Sequence, residues 1–427
     1  MTSDAQLNED QLGKIPLISS HCTLRHLETP FIYDTTSDEL YEIDTDALHF
    51  LAGLDGRQTL GTHLNENQNK QQDHAGDAAK LVEYCLGEDL IALHDKPADS
   101  TNTIATLALQ QAHLPSLRYL LAHITRRCNL TCKHCYLGKG RTQDLKPDDF
   151  KSLVDQFEKM QGLKLMISGG EPLLHPEIET ILGIAASRRL RIVLLSNATL
   201  IDEKMAQMLS GYVHEVQVSI DGTEQSHDRI RGNGSFKKAM DGIHNLQDVG
   251  IDVSIATMIH KYNAHEFDEM EGMIYELGVV SWTLDVPCIE GNLQLNNDLI
   301  LDIKSAASIF SSYGFGGGAH GSSGSYTCGS HLAAIMADGD FVHCGFFENH
   351  PTGTIQKGLE ESWKNMTEQC LWDVQKLNCH SCPVIMDCHG GCRARAKDCG
   401  NVLGPDYLMC YANNINPETY DYCEDCD

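Results

Sequence analysis

Three cysteines in one short segment carry the most specific chemical signal in this sequence. Cys128, Cys132 and Cys135 lie in the run from Arg127 to Tyr136 with the spacing C-x3-C-x2-C. Cysteine thiolates hold iron–sulfur clusters, and a cubane cluster that serves electron transfer normally takes four of them. Three thiolates leave one iron open to an outside ligand, so the spacing predicts a cluster that can take part in chemistry.

A second group of cysteines lies between residues 301 and 427, which hold 11 of the 17 in the chain. Seven of them form a spaced pattern: Cys328-x10-Gly339-x4-Cys344, Cys379-x2-Cys382-x5-Cys388-x3-Cys392 and Cys410. The middle group alone also fits a zinc ribbon. An odd total cannot pair completely into disulfides within one chain, and clustered thiols in a reducing compartment more often bind metal. The spacing therefore indicates metal but leaves iron–sulfur and zinc open.

The triad must be positioned by the segments around it, and these alternate between strands and helices from residue 118 to 300. Apolar and β-branched runs predict six strands, at 119–124, 164–168, 191–196, 215–220, 252–258 and 281–287. Helical periodicity predicts five helices between them, at 148–161, 176–188, 202–210, 235–248 and 266–277. Such units predict an α/β fold whose parallel sheet curves into a partial (β/α)6 TIM-like barrel. The triad follows the first strand, at the sheet edge where active residues gather.

Several residues at the ends of these strands could contact a cofactor or substrate. They lie at or after the ends of the second, fourth and sixth strands: Gly169, Gly170, Glu171, Pro172, Ser219, Asp221, Arg231 and Asp285. Glycines permit close approach of backbone to a ligand, and a carboxylate accepts hydrogen bonds from an ammonium group. Asp285 is the candidate catalytic residue, as a proton acceptor inside the barrel. Each segment alone also fits an ordinary turn or a solvated carboxylate, so only their shared placement favours a site.

The C-x3-C-x2-C segment, followed by Gly-Gly-Glu-Pro after the next strand, resembles the radical S-adenosylmethionine (SAM) superfamily. The resemblance implies a [4Fe-4S] cluster on the triad, with its open iron chelating the amino and carboxylate groups of SAM. One electron then cleaves SAM to a 5′-deoxyadenosyl radical, which abstracts hydrogen from an unreactive carbon. The resemblance also implies that Gly169 to Pro172 hold the SAM amino group. It further places Ser219 and Asp221 near the ribose, and Arg231 near the carboxylate.

The seven-cysteine pattern resembles the SPASM extension of radical SAM enzymes, which carries two auxiliary [4Fe-4S] clusters. The resemblance therefore implies three clusters rather than zinc. It assigns ligands to both auxiliary clusters, the outer one to Cys379, Cys382, Cys388 and Cys410, and the inner one to Cys328, Cys344 and Cys392. Some relatives take a fourth inner ligand six residues after the first, where this chain has Ala334. That ligand could be Cys399, a residue from elsewhere, or no residue at all, leaving an open iron that binds substrate.

The remaining cysteines belong to neither pattern. Cys22, Cys85 and Cys288 are interpreted as ordinary side chains, because a buried thiol behaves as a small hydrophobe. Three others stay without an assigned role: Cys370, Cys423 and Cys426.

Residues 1–110 predict a separate module. Three strands are predicted at 31–33, 40–43 and 90–93, and two helices, one capped by Thr45 and running to 54 and one from Asp77. With a polar loop at 65–76, they predict a winged-helix-like α+β module. Its order resembles the peptide-recognition domain fused to maturases of ribosomally made peptides, where a precursor pairs with an exposed strand edge. A structural cap on the barrel is the alternative. The chain is thus expected to divide into 1–110, a radical SAM domain at 118–300, and a SPASM domain at 301–427.

The formal net charge of -28 disfavours nucleic acid as a partner, because phosphate backbones would be repelled. A basic peptide segment fits better, although an acidic surface that aids solubility gives the same charge. The sequence contains no apolar run of about 18 residues that would predict a membrane helix, and the first residues lack the features of a signal peptide. We therefore expect a cytoplasmic protein with no membrane partner.

Together these features predict a radical SAM enzyme that modifies a precursor peptide and forms a thioether or carbon–carbon crosslink. Flavodoxin or ferredoxin is the expected electron donor. Two other radical SAM reactions stay open: oxidation of Cys or Ser to formylglycine, as in sulfatase maturases, and side-chain decarboxylation of a tetrapyrrole. Outside this class, an iron–sulfur electron carrier or a zinc-stabilised scaffold would also use many cysteines, but neither would cleave SAM.

Overall fold

The structure is a computed structural model that describes residues 7–70, 75–97, 107–138, 142–316, 326–369 and 372–420. The chain divides into two compact units. Unit 1 contains residues 1–116 with the short segments 158–163 and 189–191, and unit 2 contains the rest of the chain. The division into three domains is finer than this and stays a prediction.

Unit 1 combines short strands with helices around one apolar core. Its strands are β1 (Ile15–Ile18), β2 (Cys22–His26), β3 (Pro30–Asp34), β4 (Glu39–Glu42) and β5 (Ile91–His94). Its helices are Glu9–Gly13, Thr45–Ala52, Leu60–Lys70 and Ala75–Gly87. Strands β2, β3 and β4 form an antiparallel sheet, and β1 pairs antiparallel with β5. Leu24, Ile32, Leu48 and Val82 are fully buried in the core.

Two expectations for unit 1 were wrong in part. The loop predicted at 65–76 is helical up to Lys70 and again from Ala75, and residues 71–74 lie outside the described residues. Burial of Leu60 and Leu64 on the core side outweighs the weak helix propensity of the Asn-rich stretch. The expected cap of the helix at Thr45 is instead supplied by Asp44, whose carboxylate accepts from the Ala47 N–H at 2.7 Å.

Strand β2 was not predicted because it is short, and both of its faces are buried although apolar and polar residues alternate along Cys22 to Arg25. Arg25 is 1% exposed, and it donates to the carbonyls of Gly162 at 3.1 Å and Arg189 at 2.9 Å. Burial lowers the pKa of this guanidinium to about 10. Its hydrogen bonds offset the cost of taking a cation out of water.

Unit 2 is organised around one nine-stranded sheet. Its strands are β6 (Tyr119–Thr125), β7 (Lys164–Gly169), β8 (Arg191–Ser196), β9 (Glu215–Ser219), β10 (Asp252–Met258), β11 (Ser281–Asp285), β12 (Leu332–Ile335), β13 (Asp340–Val342) and β14 (Gly353–Thr354). The order across the sheet is β11-β10-β9-β8-β7-β6-β12-β13-β14. Strand β12 pairs parallel with β6, whereas β13 and β14 are antiparallel additions. Residues beyond 301 therefore extend the same sheet that carries the triad.

The helices of unit 2 fall into two groups. Those between the first six strands are Pro147–Lys159, Ile178–Ala186, Glu203–Leu209, Glu224–Arg231, Ser235–Asp248 and Phe267–Leu277. Those that follow are Ile303–Ser312, Leu359–Gln369, Ile385–Cys388, Arg393–Asp398 and Tyr407–Ala412. Short 3-10 turns include Pro172–Leu174 and Gly291–Leu295. No helix among the described residues is both long and apolar enough to cross a membrane.

All six predicted strands of the sheet are present, with ends within two residues of those expected. They were recognisable because central strands of a parallel sheet are buried on both faces and read as continuous apolar runs. An α/β fold with a mostly parallel central sheet is confirmed. Curvature of this sheet into a partial barrel stays a prediction.

Candidate functional site

The cysteine triad lies in an irregular segment directly after β6. Cys128 is exposed, and Cys132 and Cys135 are half-buried. Asn292 holds this segment by two hydrogen bonds, from its side chain to the Cys132 carbonyl at 2.9 Å and from its N–H to the Cys135 carbonyl at 2.9 Å. The triad is thus shaped by groups from other elements, which leaves its thiols available as ligands.

A cation lies next to these thiols. Burial raises the pKa of Cys132 to about 11, and the positive charge of Arg231 opposes that rise. Although Cys128 is exposed as a residue, partial desolvation of its sulfur raises its pKa, opposed by the Leu130 N–H and then by Arg231. Iron binds the thiolate form, so Arg231 favours the protonation state that a cluster requires.

Arg231 belongs to a buried ion-pair network centred on Asp221. The Asp221 carboxylate is fully buried and accepts from Arg231 Nε at 2.6 Å and from the Met258 N–H at 2.8 Å. His134 Nε2 lies 3.3 Å from the same carboxylate. Burial raises the pKa of Asp221, but Arg231 and His134 lower it by more, so the pKa lies well below its usual range. Because His134 is part of the cysteine segment, this network ties the triad to the end of β9.

The His134 ring is neutral in this network, because burial lowers its pKa to about 4. A neutral His134 ring leaves Arg231 as the charge partner of the Asp221 carboxylate. Ser219 closes β9 two residues before Asp221 and is half-buried. The contacts of Ser219 and Asp221 with a ribose stay predictions.

The Gly-Gly-Glu-Pro segment at the end of β7 packs directly on the cysteine segment. Gly170 N–H donates to the Thr125 carbonyl at 2.8 Å, and Glu171 N–H donates to the Arg127 carbonyl at 2.7 Å. A Cβ atom on Gly169 would lie 2.4 Å from the Thr125 carbonyl oxygen, and one on Gly170 would lie 2.4 Å from that of Arg127. Both glycines therefore allow two backbones to meet, and their contact with SAM stays a prediction.

Glu171 links the ends of two strands. Its fully buried carboxylate accepts from the Ser196 hydroxyl at 2.8 Å, the Asn197 N–H at 2.9 Å and the Leu173 N–H at 3.3 Å. Burial raises its pKa to about 7, opposed in part by these hydrogen bonds. Pro172 follows as the first residue of the 3-10 turn and is buried. A carboxylate has about four acceptor positions, so one remains for the predicted ammonium group.

Asp285, the candidate proton acceptor, ends β11 and is ion-paired. Arg395 contacts its carboxylate and also binds Asp406 at 2.8 Å. Asp406 in turn accepts from the Cys392 N–H at 2.8 Å. Asp285 therefore anchors the end of β11 to the cysteine-rich region, and its role as a base stays a prediction.

The four cysteines expected to hold the outer auxiliary cluster line one cavity. Cys379, Cys382, Cys388 and Cys410 surround it together with Val384, Ile385, Met409 and other residues. Cys388 Sγ accepts from the Gly390 N–H at 3.4 Å. Burial raises the pKa of Cys410 to about 12. A mostly apolar cavity with four thiols fits a cluster whose ligands are soft thiolates.

The three cysteines expected to hold the inner cluster also come together. The Cys328 and Cys392 side chains interact, and this interaction lowers the pKa of Cys328. The Arg393 N–H donates to Cys328 Sγ at 3.3 Å. Cys344 is half-buried beside them, and desolvation of its thiol together with Cys392 raises its pKa to about 12.

The distances between these thiols bear on the metal that they could hold. Two sulfurs bound to one zinc at about 2.3 Å lie no more than about 4.6 Å apart. Among the described residues, the one group of three ligand atoms within 4.8 Å of one another is His21, Cys22 and Asp34 in unit 1. Among the described cysteines, no three sulfur atoms therefore lie as close to one another as ligands of a single zinc ion do.

Comparison with known proteins places this geometry in a family. The model of the Radical SAM superfamily matches residues 123–274, which include the triad, the Gly-Gly-Glu-Pro segment and the Asp221 network. This segment is a radical SAM domain. The predicted family resemblance is thereby confirmed.

Curated relatives extend the comparison. The chain is 33% identical over 179 residues to the AdoMet-dependent heme synthase of Nitratidesulfovibrio vulgaris, covering 39% of this chain and 47% of that enzyme. It thus spans about half the length of that relative. It is 27% identical over 314 residues to the mycofactocin maturase MftC of Mycobacterium tuberculosis, covering 66% of this chain and 80% of that protein.

A solved structure shares the fold over most of the chain. Streptococcus suis SuiB bound to S-adenosylmethionine aligns with a TM-score of 0.65 at 15% identity. The alignment covers 91% of this chain and 98% of SuiB. At this identity the likeness shows the fold alone.

Two residues that shape the radical SAM domain site were not predicted, namely His134 and Asn292. Asn292 contacts the triad segment, and His134 contacts Asp221, across long distances in sequence. No local spacing therefore reveals either residue. The one available signal for His134 was a polar ring inside the cysteine run. Asn292 lies in a 3-10 turn after β11 and gave no signal.

Proposed function

We propose that this chain is a radical SAM enzyme that modifies a precursor peptide and holds three [4Fe-4S] clusters. The observation that carries the proposal is the alignment with MftC, which is named a maturase and matches over 314 residues. That length extends well beyond the radical SAM domain at 123–274. The two further cysteine sets, each gathered in the structure, support the two auxiliary clusters.

A reduced cluster on Cys128, Cys132 and Cys135 would supply the electron that cleaves SAM to methionine and a 5′-deoxyadenosyl radical. The chain's own residues prepare this step. Asn292 holds the triad segment, and Arg231 stabilises thiolates by its charge. Asp221 orients Arg231 through Nε, which leaves the terminal guanidinium nitrogens free of this contact for an anionic group such as the SAM carboxylate.

The reaction on the peptide would begin with hydrogen abstraction and lead to a thioether or carbon–carbon crosslink. Forming such a bond from the peptide radical releases one electron and one proton, and the auxiliary clusters would provide an acceptor for that electron. Flavodoxin or ferredoxin would donate the electron that starts the reaction. Asp285 stands as the proposed proton acceptor, at the end of β11 where Arg395 fixes its position.

We place peptide recognition on the outer edge of β4 in unit 1. Among the described strands β4 pairs with β3 alone, and most of its residues are exposed. An added peptide strand would satisfy the open backbone groups of such an edge. Residues 31–56 include seven Asp or Glu and no Lys or Arg, so this surface favours a leader rich in basic residues. SuiB has also been solved with its precursor peptide SuiA, which supports this type of partner.

A second candidate is a reaction on a tetrapyrrole. It is favoured by the 33% identity with a heme synthase, which is confined to 179 residues. Because that alignment covers 39% of this chain, it does not account for both unit 1 and the seven-cysteine pattern.

The test is anaerobic turnover of the reconstituted, dithionite-reduced protein with SAM, with 5′-deoxyadenosine measured by chromatography. We expect deoxyadenosine from the parent and a loss of at least 100-fold in Cys128→Ala, Cys132→Ala and Cys135→Ala, with about eight irons retained in each. Cys85→Ala is the matched control, because its thiol is buried in unit 1 far from these patterns in sequence. Undiminished cleavage in the three triad variants would refute the cluster assignment.

Candidate substrates then separate the two reactions. A synthetic basic leader fused to a core peptide should lose two hydrogens per crosslink by mass spectrometry, whereas an iron porphyrin should stay unchanged. Loss of carbon dioxide from the porphyrin side chains would favour the tetrapyrrole reaction instead.

A further inference from the structure

Cys288 lies three residues after β11 and is buried, with 6% of its surface exposed. It forms an apolar cluster with Phe347 and Ala394, and Cys344 and Cys392 pack against that same cluster. Burial raises the pKa of its thiol, with further contributions from Asp285 and Cys392. The structure therefore gathers Cys288 with two cysteines of the inner set.

The backbone on both sides of Cys288 is fixed to one helix. This helix, Arg393–Asp398, begins directly after Cys392. Three contacts join the two segments: Asp285 with Arg395, the Ile289 N–H with Asp398 at 3.1 Å, and Glu290 with Lys397 at 3.4 Å. Because the contacts lie before and after Cys288, its position relative to Cys392 is set by the fold.

We propose that Cys288 is the fourth thiolate ligand of the inner auxiliary cluster, completing the set of Cys328, Cys344 and Cys392. The proposal rests on the cluster content given under the proposed function. Cys288 lies outside the seven-cysteine pattern, and it would supply the ligand that Ala334 cannot. Ala334 is fully buried in β12 and has no donor atom.

Cys399 is the other candidate, and its position argues against it. Cys392 caps the start of helix Arg393–Asp398, and Cys399 caps its end. A rise of about 1.5 Å per residue separates the two by roughly 10 Å along the helix axis. Cys399 is also exposed, whereas the inner set and Cys288 are buried or half-buried.

Full ligation decides how the inner cluster works. Four protein thiolates leave no open iron, so the cluster carries electrons and does not bind the peptide. Its surroundings suit that role. Tyr136, which follows Cys135, packs its ring on Phe346 with centroids 5.0 Å apart. The segment that holds the triad therefore lies beside the segment that begins with Cys344.

The test uses the full-length protein with Cys128, Cys132 and Cys135 all changed to Ala, so that only auxiliary clusters remain. In this background Cys288→Ala and Cys288→Ser are compared with Cys399→Ala and with the buried control Cys85→Ala. Each is reconstituted anaerobically, analysed for iron and sulfide, and then oxidised mildly for electron paramagnetic resonance.

We expect about eight irons in the background protein and in both controls, with no cubane losing iron on oxidation. The Cys288 variants should lose about one to four irons, and an oxidised Cys288→Ser sample should show the signal of a three-iron cluster. Parent-like iron content and spectra in both Cys288 variants, or the three-iron signal in Cys399→Ala, would overturn the proposal. A background protein with about four irons or fewer would instead refute the two-cluster content on which it rests.

Discussion

At the residue scale, the site depends on charges that are buried and paired. Asp221 has no exposed surface, yet it stays ionised because the Arg231 guanidinium is paired with it. Removing one partner of a buried pair leaves the other charge uncompensated in a medium of low polarity. The triad is therefore coupled to the stability of this network through His134 and Arg231.

We expect Asp221→Asn to lower the free energy of unfolding by about 3–5 kcal/mol, because Arg231 is left buried without a counter-charge. Chemical denaturation under anaerobic conditions measures this loss. The matched control is Lys151→Ala, which breaks an exposed pair with Asp155 and should cost less than about 1 kcal/mol. Similar losses in the two variants would contradict a buried network.

His123 gives a pH dependence that can be isolated. Burial, and next Arg126, lowers its pKa to about 4, whereas the unfolded chain takes up this proton near pH 6.5. The free energy of unfolding is therefore highest above pH 6.5, where His123 is neutral in both states. It decreases as the pH falls towards 4, because the unfolded chain binds the proton first. Between pH 7.5 and 5.5 the parent should lose about 1.3 kcal/mol more than His123→Asn in unfolding experiments. The control is His265→Asn, because the His265 side chain is 78% exposed. If His123→Asn showed the same pH dependence as the parent, the prediction would be wrong.

At the element scale, the sheet brings separate strand ends together around the triad. Glu171 joins the ends of β7 and β8, and the two preceding glycines let β7 meet the cysteine segment. Backbone hydrogen bonds, as well as side-chain contacts, hold these segments next to one another.

We expect Gly170→Ala to displace the cysteine segment, because its Cβ would lie 2.4 Å from the Arg127 carbonyl oxygen. Iron per chain should fall by up to about four, and SAM cleavage should fall at least 10-fold. The matched control is Gly272→Ala in helix Phe267–Leu277, where no atom lies within 4 Å and alanine favours the helix. Full iron and activity in Gly170→Ala would show that the segment has room to move.

Sequence patterns predicted those parts of the fold and site that are encoded locally. Buried strands appear as apolar runs, and the triad and the outer cysteine set appear as fixed spacings. Strand β2 escaped because Thr23 and Arg25 are buried inside it. The roles of His134 and Cys288 escaped for a different reason, since each depends on a partner brought close only by folding.

At the scale of the whole molecule, the proposed reaction requires that a peptide reach the radical SAM domain, and the outer edge of β4 in unit 1 is the proposed recognition site. The Ile43 N–H donates to the Pro30 carbonyl at 3.0 Å. Because inward and outward groups alternate along an antiparallel strand, the N–H of Leu40 points to the open edge of β4. An incoming strand would use that group without disturbing β3.

Leu40→Pro should therefore weaken binding of a basic leader peptide at least 10-fold, because proline removes the outward donor while the β3 ladder keeps its bonds. Leu40→Ala separates the backbone from the side chain and should bind within about threefold of the parent. Fluorescence anisotropy of a labelled leader measures both, and affinity should fall as salt rises because residues 31–56 are acidic. Deoxyadenosine formed without peptide should be equal in all three proteins. Unchanged peptide affinity in Leu40→Pro would move recognition away from β4, whereas equal losses in both variants would assign it to the leucine side chain.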